Sequence, residues 1–262
     1  MRYLMPIVVA AALAPAAASA QTALTTTSYI QNFDTLASSG STGTALPAGW
    51  AINETGTNAN ASYGIGDGSS NSGNTYSFGT TGSTERALGS LGSGSLEATY
   101  GVLFTNQLGS AITAFDIAYI GEQWRLGNST DDGLTFEYST NATSLTTGTW
   151  VRVSALDFLP VLTSGTQGAL NGNLTANQRS LAATIGGLSI TSGANFGFRW
   201  TDLNSGGNDH GLAIDNFSLT STTGVTGAVP EPATWGMIIL GFGAMAGAVR
   251  RRGRVAQRVR FA

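Results

Sequence analysis

Apolar residues recur at every second position in short runs, separated by clusters of Gly, Ser, Thr and Asn. Between Leu96 and Thr105, the residues Leu96, Ala98, Tyr100, Val102 and Phe104 share one face, and between Ile112 and Ile120 so do Phe115, Ile117 and Tyr119. A period of two is that of a strand with one buried face. Ser28–Phe33, Leu134–Ser139, Trp150–Val153, Leu181–Ile185 and Phe196–Trp200 read as further strands, and Leu212–Thr220 as the last. In that last run the apolar set moves from Leu212 and Ile214 to Phe217 and Leu219. A change of face within one strand predicts a bulge, or burial on both sides. Residues 38–95 are rich in Gly, Ser and Thr, and read as a partly flexible stretch pinned by Trp50, Tyr63, Tyr76 and Phe78. The pattern predicts an all-β chain with a single antiparallel β-sandwich or jelly-roll-like domain over residues 21–220.

Both ends depart from this pattern. Met1-Arg2, an apolar run from Leu4 to Ala14 and an Ala18-Ser19-Ala20 site form a secretory signal peptide over residues 1–20. Such a leader implies the Sec export machinery as a partner. At the other end, residues 221–229 read as a small, polar linker. Trp235 to Val249 carries no charge and is helix-compatible, covering about 22 Å against a ~30 Å hydrocarbon core. Arginines 250, 251, 252, 254, 258 and 260 follow, the last two within a basic tail at 255–262. The positive-inside rule places that end in the cytoplasm and the body outside.

Charge sharpens this division. The body from Gln21 to Val229 holds five arginines against fourteen acids, a net charge of −9. Nucleic-acid backbones need clustered cations, so no nucleic-acid partner is expected. Cysteine and lysine are absent, which excludes disulfides and lysine-based covalent chemistry.

The candidate chemistry of the body is sparse. Asp202, Asn204, Asn208 and Asp209 place oxygen donors on a glycine-bent loop, a candidate calcium site in which Ala213 replaces the Glu that an EF-hand loop requires. The competing reading is a turn whose Asx side chains bond their own backbone. Asp67-Gly68 and Asp131-Asp132-Gly133 are weaker versions of the same pattern. Trp124, beside Glu122 and Arg125, is the candidate exposed platform for a glycan, whereas Trp150 and Trp200 read as core. Glu85, Glu97, Glu122 and Glu137 are available for hydrolase chemistry, although Glu85-Arg86 and Glu122 with Arg125 also fit structural ion pairs. The lone His210, with Asp209 or Asp215 as orienter, lacks a nucleophile motif and reads as part of a polar turn.

Pro230-Glu231-Pro232, Trp235, Gly241-Phe242-Gly243 and Arg250-Arg251-Arg252, in this order over residues 230–254, resemble the PEP-CTERM sorting signal, in its PEPxxWA subclass. Gly236 stands where that subclass has Ala. The resemblance implies cleavage near Pro-Glu-Pro by an exosortase-type membrane protease, a temporary membrane helix, and association with exopolysaccharide or biofilm matrix. Tyr76–Gly79, Glu85–Leu91, Gly121–Arg125 and Gly211–Leu219 also resemble a secreted bacterial β-sandwich domain, which implies a fold and no activity. The expectation is an exported, non-catalytic surface or matrix protein. The alternatives are a carbohydrate-binding module, with or without calcium, and, third, a secreted hydrolase.

Overall fold

The structure, a computed structural model, describes residues 21–224. The expected signal peptide, sorting segment and basic tail lie outside the described residues. Fifteen strands form: β1 (Thr22–Leu24), β2 (Ser28–Gln31), β3 (Thr42–Gly43), β4 (Trp50–Thr55), β5 (Tyr63–Gly66), β6 (Asn74–Phe78), β7 (Ala87–Leu91), β8 (Glu97–Asn106), β9 (Ile112–Leu126), β10 (Leu134–Ser139), β11 (Val151–Arg152), β12 (Gly168–Ala169), β13 (Gln178–Ile185), β14 (Asn195–Asp202) and β15 (Gly211–Thr223). Among the described residues, no helix is long and apolar enough to cross a membrane.

The strands make two sheets. One has six strands in the order β1-β8-β14-β10-β11, with β4 also on β8; the other has nine, β12-β9-β15-β7-β6-β5-β3, with β13 on β9 and β2 on β15. Pairing is antiparallel, as expected of the sandwich, except for β1 with β8 and β5 with β6, which are parallel. Tyr100, Val102, Phe104, Phe136, Phe198 and Trp200 of the first sheet pack with Ile117, Tyr119, Leu212, Ile214, Phe217 and Leu219 of the second in one continuous buried core. Trp200 is its hub, stacked with Trp50 and edge-on to Tyr119, Phe136 and Phe217. Such aromatic pairs add directional preference to area burial and favour one packing arrangement over others.

The nine-stranded sheet is apolar on its other face too. Tyr76, Phe78, Ala87, Leu91, Trp124 and Ala213 form a second, smaller buried cluster there. This explains the region read as partly flexible: residues 38–95 carry β3 to β7, and Trp50, Tyr63, Tyr76 and Phe78 are all buried. Its strands are too short and glycine-rich to show a period, but their rings have two apolar faces to fill.

β15 is the central strand of that sheet and carries the predicted bulge. Asp215 pairs with Ile120 and Ser218 with Ala118, so β15 holds one residue more than β9 over this step. Asn216 takes the left-handed conformation, φ +50°, that absorbs it. The neighbour on the opposite edge changes at the same point: Leu212–Ile214 pair with β7 and Phe217–Thr220 with β2. The bulge thus lies at a gap between two edge partners. β15 continues to Thr223, three residues into the segment read as linker.

Candidate functional site

Three carboxylates meet at this gap. Glu85 precedes β7, Glu122 lies in β9 and Asp215 stands at the bulge of β15 between them. One oxygen from each lies within 4.8 Å of the others. By strand alternation, Glu122 and Asp215 share the face of Trp124 and Ala213, away from the main core. Glu122 and Asp215 are buried, and Glu85 is half-buried.

Neutral donors hold the group. Glu122 accepts from Trp124 Nε1 and from Gln178 Nε2, each at 2.9 Å. Asp215 Oδ2 accepts from Asn216 Nδ2 at 2.7 Å, and Glu85 accepts from Asn173 Nδ2. Asp215 Oδ1 is buried without a partner. The adjacent Arg86 makes no ion pair with the group: its guanidinium bonds Ser77 and the Gly66 carbonyl, and its pull on Glu85 is weaker than the effect of burial. Burial raises Glu122 to about 7, against the pull of Trp124 and with a push from Glu85. Burial likewise lifts Asp215 to about 8, with Glu122, Glu85 and Asp34 adding to it, and moves Glu85 upward.

A segment after β12 closes over these residues. Leu170 N donates to the Trp124 carbonyl at 2.8 Å, and Gly172 lies so near the indole that an added Cβ would stand 2.3 Å from Nε1. Trp124 is fully buried and stacks on Phe78 at 5.9 Å. The expected glycan platform is therefore corrected: Trp124 fills the second apolar cluster and positions Glu122. Arg125 is occupied as well, donating to the Gly68 and Ser69 carbonyls at 3.0 and 3.1 Å. Neither expected Glu–Arg pair forms; the ion pairs among the described residues are Arg152–Asp157 and Arg199–Glu137. Glu97 and Glu137 belong to the other sheet and join no carboxylate pair with Glu85 or Glu122. Trp150, read as core, is only half-buried, with the Arg199 guanidinium 4.3 Å from its ring centre.

The loop expected to hold calcium is divided by the fold. Asp202 and Asp209 are buried, whereas Asn204 and Asn208 are exposed. Asn208 Nδ2 bonds Gln167 and its N–H bonds Asn128, so it serves loop packing. The third acid beside Asp202 and Asp209 is Asp132, which the sequence placed only in a weak Asx pattern. Both Asp202 oxygens, Asp132 Oδ1 and Asp209 Oδ2 are buried without partners. Burial lifts Asp132 and Asp209 to about 6, and burial with the neighbouring Asp132 charge lifts Asp202 far above the ordinary carboxylate range. His210 is structural here: Nδ1 accepts from Gly127 N at 3.0 Å, which leaves Nε2 to donate to the Ser129 carbonyl at 3.2 Å.

Comparison with known proteins decides the other candidate, the C-terminal segment. Residues 228–252 match the PEP-CTERM protein-sorting motif. The PEP-CTERM motif implies export and exosortase processing, and it begins five residues after β15 ends. No curated protein sequence matches the chain. Solved structures with distant similarity include the K3 cleaved adhesin domain of Lys-gingipain from Porphyromonas gingivalis, at 11% identity over 67% of this chain and 93% of that one, with a TM-score of 0.38. The CBM22-1 xylan-binding domain of Paenibacillus barcinonensis Xyn10C aligns at 8% identity over 74% and 94%, with a TM-score of 0.34. The enzymatically active domain of bacteriophage CBA120 tailspike protein 4 aligns at 10% over 67% of this chain, with a TM-score of 0.36. The chain spans 20% of that tailspike chain.

Proposed function

We propose that this is an exported surface or extracellular-matrix protein whose β-sandwich acts without catalysis. It leaves by Sec export, is held in the inner membrane with its arginine-rich end in the cytoplasm, and is then cut near Pro230-Glu231-Pro232 by an exosortase-type protease. The body is delivered outside, among exopolysaccharide. The observation that carries this reading is the PEP-CTERM motif at 228–252, joined closely to the last strand of a folded domain. The acidic body and the cationic stop fit the same polarity. The engagement of His210 with the 127–129 backbone favours a non-catalytic body, and the burial of Trp124 removes the named platform of the carbohydrate-binding alternative.

Removal of residues 228–262 tests the reading in the producing cell. The truncated body is expected to keep its fold and lose surface attachment. Surface attachment equal to that of the full chain would reject the proposal.

A further inference from the structure

We infer that Glu85, Glu122 and Asp215 form a binding site for one divalent cation, with calcium as the ion that fits. Ligands on opposite sides of a calcium ion, each about 2.4 Å from it, stand about 4.8 Å apart. The three carboxylate oxygens fall inside that span. Convergence of acids alone is a weak sign, and a second observation is independent of it. Asp215 is only 4% exposed, and its Oδ1 is buried without a donor. A buried carboxylate oxygen left in this way is costly unless something positive meets it.

Among the described residues, no ion pair brings such a charge to the three acids. The donors to the group are the neutral side chains of Trp124, Gln178, Asn173 and Asn216, and Arg86 is committed elsewhere. The donor set also selects the ion. Oxygen-only ligands suit calcium, magnesium or manganese better than zinc, whose sites are built mostly from nitrogen and sulfur. Magnesium demands near-ideal octahedral geometry, and carboxylates set on three separate segments of the chain suit the looser geometry of calcium better. The bulge explains how Asp215 reaches the group, since it shifts register at the gap where β7 gives way to β2. The cation would clamp β7, β9 and β15 together, and it requires no particular destination for the chain.

Thermal unfolding of the full chain in mild detergent, in CaCl2, MgCl2 or EDTA, tests this. Calcium at about one hundred times its Kd is expected to raise Tm by about 5–10 °C over EDTA, with a smaller effect of magnesium. Asp215→Asn and Glu85→Gln should abolish that rise, while Asp202→Asn, in the other acidic cluster, should keep it. Glu85 is the most exposed of the three, so Glu85→Gln decides the matter if Asp215→Asn does not fold. No rise in the natural chain would overturn the site, the acids then holding protons instead. An undiminished rise in Glu85→Gln would overturn it equally.

Discussion

Asp202 has no exposed surface and no partner for either oxygen, an arrangement that makes its charge a burden on the fold. Asp132 and Asp209 titrate at about 6 in the folded chain, against about 3.9 when unfolded. The folded state therefore keeps protons that the unfolded state releases. That stabilisation is full below about pH 3.9 and is lost as pH rises through about 6, a span worth about 3 kcal/mol for Asp132 alone. In EDTA, stability should fall from pH 4 to pH 7. Asp202→Asn, nearly equal in shape and neutral, should raise the urea unfolding free energy at pH 7 by at least about 1 kcal/mol. A loss of that size would refute the account of the cluster. Trp124→Ala, by contrast, empties the second apolar cluster and should cost about 3–5 kcal/mol, read from the same urea curves.

Among the elements, β15 carries the most consequence. Its bulge needs a residue that accepts positive φ, and Asn does so at little cost. Asn216→Gly should change stability by a few tenths of a kcal/mol, whereas Asn216→Val should cost about 1–2 kcal/mol. Equal urea midpoints for the two variants would argue against the bulge. This feature was legible beforehand, because the step from Leu212/Ile214 to Phe217/Leu219 records the change of face. Long strands such as β8 and β9 were legible for the same reason: one face is buried, and alternation reports it. β1, β3, β5 and β12 span two to four residues, too few for a period to appear. Trp124 was misplaced because charged and amide neighbours suggest solvent. Its cover comes from Phe78 and from Gly172, distant segments with no periodic signal of their own. The Glu85–Glu122–Asp215 group was hidden likewise, since strand order and not spacing brings it together.

For the whole molecule, a folded body over residues 21–224 is followed in the sequence by a PEP-CTERM protein-sorting motif at 228–252. The body owes its stability to two apolar clusters, one between the sheets and one on the far face of the nine-stranded sheet. Its charge of −9 and the cationic end fit opposite sides of a membrane. Mass spectrometry of the chain recovered from the producing cell's surface reads both termini at once. The account predicts a polypeptide that begins near Gln21, ends near Pro230–Pro232 and lacks the arginine cluster. Recovery of the chain only inside the cell, with Met1 and the arginines still attached, would contradict it.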